Sequence, residues 1–499
     1  MPYAVYATVV VVATAGLVYE LVAAAAASYL LGDSLTQFST VIGAYLFAMG
    51  IGSFLSRYVR GGVAARFIEA EILVGLVGGW AAAVLFVAFA QTPHFRAVLY
   101  GLVGLTGMLV GLEVPLLLRL LRRRLGFREL VAQVLSLDYL GALAASLLFP
   151  LLMVPRLGLV RASLVAGFAN AAVGLWSTWI FRDELRRAGF LRVAAVAALV
   201  CLGGGALVAE RITAWSEDRL YADDIILART SAYQRIVLTR AADDVRLFLN
   251  GHLQFSSRDE YRYHEALVHP ALAGHPAPRR VLILGGGDGL AAREALRYPS
   301  VASITLVDLD PEMTRLFSDN PLLTGLNAGA LRDPRVRVIN ADAFVWLDRE
   351  ASGRFDVVIA DFPDPHNFSI GKLYSRSFYR VLRARLAPDG LVAVQATSPM
   401  FARRSFWCIV ETMRSAGLRA HPYHVYVPSF GEWGFVLAGA AAYAPPRAYP
   451  AGLRFLTADA TPALFVFPPD MAPVTVEVNR LDNQILVQYY GADWQRLGL

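Results

Sequence analysis

The amino-acid sequence predicts an α-helical membrane bundle followed by an α/β domain with a doubly wound parallel sheet. Residues 1–210 are mostly apolar, whereas residues 215–499 have the composition of a globular domain. Within that second part, residues 222–255 alternate in short runs, and apolar strands alternate with helical stretches from residue 276 onward. We therefore expect a membrane domain (1–210), an antiparallel β-subdomain (215–275), an α/β domain (276–445) and a C-terminal extension (446–499).

The first part contains seven apolar stretches, each close to or above the roughly 20 residues that span a bilayer as a helix. The first stretch is too long for a signal peptide and is followed by further spans. We therefore expect a multi-pass protein of the cell (inner) membrane. The predicted spans are residues 4–31, 36–58, 64–91, 95–120, 129–155, 157–181 and 189–209.

Arginines are concentrated in the connections that follow the second, fourth and sixth spans. The positive-inside rule then places the N-terminus in the cytoplasm, and seven spans place the C-terminal domain outside. A span count that is off by one would instead leave that domain in the cytoplasm. Both arrangements stay open on the sequence alone.

Five carboxylates fall in or near the spans. Charge at membrane depth is costly, so such groups usually face a bundle interior. Two interpretations apply: hydrogen bonding between helices, or a polar path or pocket for a cation. Two of the five, Glu69 and Glu71, lie near a helix end and are expected to contact water. The full set is Glu20, Glu69, Glu71, Glu113 and Asp138.

Two compositional features exclude other classes of protein. The net charge is +6, but the basic residues, nearly all arginine, form no nucleic-acid patch, so no nucleic-acid partner is expected. The two cysteines, Cys201 and Cys408, lie far apart, so neither a disulfide framework nor a cysteine metal site is predicted.

The stretch "VLILGGGDG" (281–289) reads as a buried strand that ends in a glycine loop, Gly285 to Gly287, followed by Asp288. Asp308 ends the next strand and suits the paired hydroxyls of a ribose. An aspartate in the loop would repel a pyrophosphate. We therefore expect an adenosyl ligand that lacks phosphate and carries a positive charge near Asp288. Asp342, after the following strand, is a candidate acceptor for the adenine amine.

A second pair of carboxylates lies in "VVIADFPDPHNF" (357–368). Asp361 follows an apolar run and is expected at the tip of a strand. The Phe362-Pro363 turn would bring Asp364 to face the same space. Ligands of such sheets bind at the carboxyl ends of the strands, so this pair is a candidate site for a proton or a cation.

Six motifs in order resemble the polyamine aminopropyltransferases, the spermidine synthases, over about residues 220–440. The architecture resembles the bacterial form of that family that carries a multi-span membrane domain in front of a Rossmann-like, methyltransferase-type sheet. The motifs are "YQ" (233–234), "LNGHLQFSSRDEYRYHE" (249–265), "VLILGGGDG" (281–289), "DLD" (308–310), "ADAF" (341–344) and "IADFPDP" (359–365).

The resemblance implies an aminopropyl transfer from decarboxylated S-adenosylmethionine to a polyamine such as putrescine, without a metal or a tightly bound cofactor, and with methylthioadenosine as product. Asp361 would be the base and Asp364 would help to hold the acceptor amine, with Tyr263 as a further catalytic residue. The residues implied on the donor side are Gln234, Gln254, His264, Gly285, Gly286, Gly287, Asp288, Asp308, Asp342 and Ala343.

Three departures from the family pattern concern the acceptor more than the donor. Phe362 and Pro363 stand where the family usually has small residues. The stretch "VPSFGEWGF" (427–435) offers Glu432 for a distal ammonium and Trp433 as an aromatic wall, with Gln395 nearby at a strand end. The segment "VEVNRLDNQILVQYYGADW" (476–494) lies beyond the usual end of the family.

The sequence thus predicts a membrane-tethered aminopropyltransferase, and a homodimer is left open as its assembly. One alternative is a polyamine transporter or sensor whose synthase-like domain binds its ligand without turnover. Another is an adenosylmethionine-dependent transferase with a different acceptor. A donor made in the cytosol favours a cytoplasmic catalytic domain, whereas the arginines with seven spans favour the opposite side.

Overall fold

The computed structural model describes residues 2–31, 34–122, 127–218, 221, 223–440 and 443–496. Its contacts divide the chain into two compact units, Met1–Asp224 and Ile225–Leu499. Each unit has hydrophobic clusters of its own, one in the first unit and two on the opposite faces of the sheet in the second.

The first unit is a helical bundle. Six of its helical segments, within the described residues, are long and apolar enough to cross a membrane. Its helices are α1 (Pro2–Leu31), α2 (Ser34–Leu55), α3 (Val63–Gln91), α4 (Phe95–Leu121), α5 (Phe127–Leu148), α6 (Val154–Ile180) and α7 (Ala188–Asp218).

The difference between six segments and the seven predicted spans arises where α5 continues into α6. A π-helical turn, Phe149–Met153, joins them, so that Glu129–Ile180 forms one helical run of 52 residues. At ~1.5 Å per residue such a run measures roughly 78 Å, more than twice the ~30 Å of a hydrocarbon core. The run is broken at Gly158, whose φ of 72° and ψ of 175° are not helical. The predicted boundary between spans five and six, residues 155–157, lies next to this break.

Two of the five carboxylates meet inside the bundle. The Nδ2 of Asn170 on α6 donates to Glu71 Oε2 on α3 (3.0 Å) and to Glu113 Oε1 on α4 (3.2 Å). The expectation that Glu71 contacts water is wrong, because its side chain is fully buried. Glu69 lies at the surface and pairs with Arg66 at 2.6 Å. The Asn170 contacts correspond to hydrogen bonding between helices.

The second unit begins with the predicted antiparallel β-subdomain. Its strand order is β1-β2-β3-β4. Asn250 and Gly251 form the hairpin turn that joins β3 to β4, and both residues have positive φ, 50° and 83°, as a tight hairpin turn requires. The strands are β1 (Asp224–Thr230), β2 (Arg235–Ala241), β3 (Asp244–Leu249) and β4 (His252–Ser256).

A seven-stranded sheet follows, in the order β10-β11-β9-β8-β5-β6-β7. Strands β7, β6, β5, β8 and β9 are parallel, as predicted. The expectation of a parallel sheet is wrong for β11, which is antiparallel to both of its neighbours. Only residues 428–430 separate β10 from β11, too few for a crossover. The strands are β5 (Arg280–Gly285), β6 (Ser303–Asp308), β7 (Val336–Asn340), β8 (Phe355–Asp361), β9 (Leu386–Gln395), β10 (Arg419–Val427) and β11 (Gly431–Gly439).

Helices cover both faces of this sheet, and the C-terminal extension packs on α15 through α16. The helices of the second unit are α8 (Glu260–Gly274), α9 (Leu290–Ala295), α10 (Pro311–Asp319), α11 (Pro321–Leu326), α12 (Ala343–Arg349), α13 (Phe368–Gly371), α14 (Arg376–Arg385), α15 (Arg403–Ser415) and α16 (Ile485–Gln495).

Candidate active site

A cavity of about 1070 Å³ lies at the carboxyl edge of the seven-stranded sheet. Strands β5 and β8 end there side by side, with Gly285 opposite Asp361 in the parallel register. This is the position at which a doubly wound sheet binds its ligand, because chain connections leave in opposite directions from these two strands.

Nearly all of the predicted site residues line this cavity. They are Gln234, Gln254, Tyr263, His264, Gly285, Gly286, Gly287, Asp288, Asp308, Asp342, Ala343, Asp361, Asp364, Gln395 and Trp433.

Glu432 is the exception, and the structure corrects its predicted role. Its Oε2 binds His424 Nδ1 at 2.8 Å, and it does not line the cavity. Side chains alternate between the two faces of a strand, so the adjacent residues Glu432 and Trp433 of β11 cannot both face the site. Trp433 faces it and packs against Phe430, with ring centroids 5.0 Å apart.

The glycine loop after β5 is a close-fitting turn. Gly285 and Gly286 have φ of 78° and 62°, a region that favours glycine. The backbone N–H of Gly287 donates to Asp308 Oδ2 at 3.0 Å, and a methyl group at Gly287 would lie 2.6 Å from that oxygen. The loop therefore has no room for side chains where it meets Asp308.

The carboxylate of Asp308 also accepts a hydrogen bond from the backbone N–H of Asp310 (2.8 Å), and burial raises its pKa to about 6. Asp342 is already engaged on both oxygens. Its Oδ1 caps α12 by accepting from the N–H groups of Phe344 and Val345, and its Oδ2 pairs with Lys372. A hydrogen bond from an adenine amine to Asp342 would have to share these oxygens.

His264 is held as a cation. Its Nδ1 lies 2.8 Å from Glu260 Oε2, and Arg293 clamps the two oxygens of Glu260 at 2.9 Å each. Burial lowers the pKa of His264, but the hydrogen bond and charge of Glu260 outweigh this and raise it to about 9. The spacing of Glu260 and His264, four residues apart on α8, could have indicated this pair from the sequence.

Asp288 lies close to this cation. Its Oδ1 accepts a hydrogen bond from the N–H of Leu290 at 2.9 Å. Burial raises the pKa of Asp288 to about 6, although the charge of His264 opposes the rise. The donor side of the cavity thus holds carboxylates that gain from a bound positive charge.

Asp361 lies between Tyr263 and the glycine loop. Tyr263 donates its hydroxyl to Asp361 Oδ1 at 2.7 Å. Asp361 Oδ2 faces the loop, where a methyl group at Gly286 would be 3.3 Å from it. Burial raises the pKa of Asp361, and both the His264 charge and the Tyr263 hydrogen bond oppose that rise.

Asp364 has more partners than the sequence suggested. Its Oδ2 accepts hydrogen bonds from Thr397 Oγ1 and Tyr490 Oη, each at 3.0 Å, and its Oδ1 accepts a longer one from Gln395 Nε2 at 3.3 Å. Burial raises the pKa of Asp364 to about 6. Thr397 and Tyr490 were not identified from the sequence, and for Tyr490 there was no local signal.

Phe362, between the two aspartates, turns mainly into the core. Its side chain is buried against Tyr374 and Phe378, with centroid distances of 6.1 and 5.8 Å, and it also lines the cavity. Several aromatic rings also line the cavity and form an aromatic wall, among them Phe401, Phe430 and Trp433.

The sequence of this chain is similar to the sequences of known proteins. Residues 260–445 match the family model of the spermine/spermidine synthase domain. The chain is 51% identical over 497 residues to a polyamine aminopropyltransferase of Leptospira interrogans, covering 100% of both chains. It is 57% identical over 496 residues to polyamine aminopropyltransferase 2 of Ralstonia nicotianae, covering 97% of each.

Among solved structures, one similar chain is a spermidine synthase in complex with the transition state analogue AdoDATO. Its sequence identity is 26% and the TM-score is 0.46, over 49% of this chain and 86% of that one. The full-length relatives establish the family for the whole chain, including the helical first unit. The chain therefore belongs to the polyamine aminopropyltransferase family, the spermine/spermidine synthases, and is an enzyme of that family.

Proposed function

We propose that this enzyme transfers the aminopropyl group of decarboxylated S-adenosylmethionine, the family's co-substrate, to a primary amine of a diamine such as putrescine. The amine nitrogen forms a bond to the propyl carbon next to sulfur. The bond between that carbon and the sulfonium sulfur breaks, and its electron pair stays on sulfur, so that methylthioadenosine leaves. One proton of the attacking ammonium goes to a base.

The observation that carries this proposal is the setting of Asp361. Its Oδ1 is occupied by the Tyr263 hydroxyl, whereas its Oδ2 faces the glycine loop that would hold the donor. An ammonium must lose a proton before it attacks, and a carboxylate whose pKa is raised by burial is a better base for that step. Because the sulfonium is a good leaving group, positioning of the amine supplies much of the remaining rate.

Asp288 supports the choice of donor. A buried carboxylate in the glycine loop gains a partner when the propylamine of the decarboxylated donor binds. Intact S-adenosylmethionine would place a carboxylate there as well, and two like charges in a buried site repel each other.

Turnover with purified full-length protein in detergent tests the proposal. Decarboxylated S-adenosylmethionine with putrescine should yield spermidine and methylthioadenosine, and intact S-adenosylmethionine should yield neither. The same assay with cadaverine, spermidine and a monoamine identifies the acceptor class. Release of methylthioadenosine only with a non-amine acceptor would instead support a different transferase.

We also propose that the first unit tethers the enzyme to a membrane with seven crossings. The 52-residue helical run would cross twice, with its two halves joined around Gly158.

Two arguments about the side of the membrane that holds the catalytic unit conflict. The arginine-rich ends of α2, α4 and α6 favour the extracytoplasmic side, whereas a cytosolic donor favours the cytoplasmic side. We propose the cytoplasmic side, and paired phosphatase and fluorescent-protein fusions at the C-terminus test it: phosphatase activity without fluorescence would contradict the assignment.

Family membership favours the enzyme over the non-catalytic transporter or sensor. Transport by the helical bundle is a separate question. The observation that would motivate it is the buried Glu71–Asn170–Glu113 group, in which Glu71 Oε1 and Asn170 Oδ1 find no hydrogen-bond partner among the described residues. Uptake of radiolabelled putrescine into proteoliposomes, compared between the native chain and Asn170→Leu, decides whether that group does more than join helices.

A further inference from the structure

The C-terminal helix α16 contributes two aromatic residues to the cavity, Tyr490 and Trp494. They are four residues apart and therefore share one face of the helix. Both lie outside the matched synthase domain, which ends at residue 445. We propose that α16 forms part of the acceptor subsite, where Tyr490 positions Asp364 and the rings of Tyr490 and Trp494 bind the chain of the polyamine. This inference rests on the proposed function, because it assigns the residues that hold its acceptor.

The Tyr490 contact decides which lone pair of Asp364 is free. A carboxylate offers about four acceptor positions. Within the described part of the chain, Oδ2 receives the hydroxyls of Thr397 and Tyr490 at 3.0 Å each, whereas Oδ1 receives only the longer bond from Gln395 at 3.3 Å. One position on Oδ1 thus remains for a strong hydrogen bond from an ammonium. Loss of the Tyr490 hydroxyl would leave the Thr397 hydroxyl bound to Oδ2 but free the second position on that oxygen, so that the carboxylate is held less firmly in this arrangement.

The rings of α16 continue the aromatic wall. Trp494 lies 5.8 Å from Tyr490 and 6.3 Å from Phe401 between ring centroids. Among the described residues that line the cavity, no carboxylate belongs to α16 or to the segment around Phe401. The part of a polyamine beyond Asp364 therefore meets ring faces, which suit methylene groups and attract ammonium groups by cation–π interaction.

The helix is fixed by contacts that do not involve the cavity. Asp493, between the two aromatic residues, is buried and binds Arg404 Nη2 at 2.9 Å and Ser405 Oγ at 3.1 Å. Upstream, Asn479 Nδ2 donates to the carbonyl of Gly371 at 3.0 Å. These bonds place the Tyr490 hydroxyl before any amine binds, which is what a positioning residue requires.

Tyr490→Phe tests the proposal, with Tyr489→Phe as the matched control. Tyr489 is on the same helix but does not line the cavity; its hydroxyl accepts from the N–H of Glu477 at 3.4 Å. Calorimetry measures putrescine and spermidine binding to the full chain in detergent, with methylthioadenosine present so that no reaction occurs. We expect Tyr490→Phe to weaken amine binding roughly tenfold. We expect the methylthioadenosine affinity of that variant and the amine affinity of Tyr489→Phe to change by less than about twofold.

The pH dependence of amine binding distinguishes positioning from a general loss of packing. The Tyr490 hydrogen bond lowers the pKa of Asp364, which burial raises to about 6. Amine affinity falls at acidic pH as Asp364 binds a proton, and we call this part of the pH profile the acidic limb. Tyr490→Phe should therefore move the acidic limb of amine binding to higher pH. The tyrosines and the histidine near Asp364 stay neutral there: burial raises the pKa values of Tyr263 and Tyr374 well above 10, and it lowers that of His366 to about 4. Burial also raises the pKa of Asp361, but the hydrogen bond that lowers it comes from Tyr263, so Tyr490→Phe should leave the titration of Asp361 in place.

Trp494→Leu, which keeps an apolar side chain, should weaken spermidine binding several-fold and leave the acidic limb in place. Unchanged amine affinity in Tyr490→Phe, or an equal loss in Tyr489→Phe, would overturn the inference while leaving the proposed function intact. A native chain that binds methylthioadenosine but no amine would overturn both.

Discussion

Replacing Asp288 with asparagine is expected to make the ligand-free protein more stable at neutral pH. The substitution keeps the size of the side chain, and the amide oxygen still accepts the hydrogen bond from Leu290 that Oδ1 accepts now. Burial raises the pKa of Asp288 to about 6 in the folded protein, compared with ~3.9 in an unfolded chain. That difference corresponds to ~3 kcal/mol, and exposure of the carboxylate to the cavity reduces it to about 2 kcal/mol.

Because folding raises the pKa of Asp288, the gain in stability from the substitution depends on pH. A carboxyl group whose pKa is raised in the folded state lowers the free energy of unfolding at a pH above that pKa. This loss of stability disappears as the pH falls and the folded state binds the proton. The gain from Asp288→Asn should therefore be complete at pH 7–8, decline through pH 6 and approach zero toward pH 4. At about 2–4 °C per kcal/mol for a domain of this size, the expected increase in melting temperature is about 4–8 °C at pH 7.5.

Thermal unfolding of the native chain and the variant in the same detergent, from pH 5 to pH 8, measures the effect. Asp348→Asn, at an exposed position of α12, is the control and should change the melting temperature by less than about 2 °C. A variant that is less stable than the native chain at pH 7.5, or a difference that does not change with pH, would refute the reasoning. Calorimetry on the same samples should show a smaller preference for decarboxylated over intact S-adenosylmethionine.

Three further substitutions test other parts of the site. Asp361→Asn should lower kcat by ~10²–10⁴ and leave donor affinity within a few fold, and near-native turnover would remove Asp361 as the base. Tyr263→Phe should lower kcat roughly tenfold and move the acidic limb of kcat against pH upward, because its hydrogen bond lowers the pKa of Asp361. Gly287→Ala should weaken donor binding by at least about tenfold, since a methyl group there would lie 2.6 Å from Asp308 Oδ2. Gly325→Ala, where a methyl group would meet no atom of the described residues within 4 Å, is its control, and equal donor affinity in both variants would contradict the close fit of the loop.

The donor side could be predicted well from the sequence, because its residues follow the ends of consecutive parallel strands. Gly285, Asp308 and Asp361 end β5, β6 and β8, and such ends meet at one edge of a doubly wound sheet. The local strand pattern was therefore enough to predict that these residues, distant in the sequence, lie close together. The same reasoning failed for Glu432, since the alternation along β11 sends it away from the side that Trp433 occupies.

The parts of the structure that could not be predicted from the sequence depend on contacts between distant segments, which no local sequence pattern encodes. Tyr490 reaches Asp364 from 126 residues further along the chain, through a helix whose position is set by the buried Asp493. Glu71 lies near the start of α3 and looked exposed, but its partner Asn170 on α6 holds it inside the bundle. In both cases the partner is a polar residue in an unrelated segment, and only tertiary packing decides that the two meet.

The fate of the transferred carbon tests the central claim most directly. Purified full-length protein is incubated with decarboxylated S-adenosylmethionine that carries ¹³C in the aminopropyl group, together with unlabelled putrescine, and both products are analysed by mass spectrometry. We predict that the label appears only in spermidine, in a one-to-one ratio with unlabelled methylthioadenosine, and that Asp361→Asn slows the appearance of both products together by ~10²–10⁴. Label that remains with the nucleoside, or methylthioadenosine that forms without labelled spermidine, would contradict aminopropyl transfer at this site.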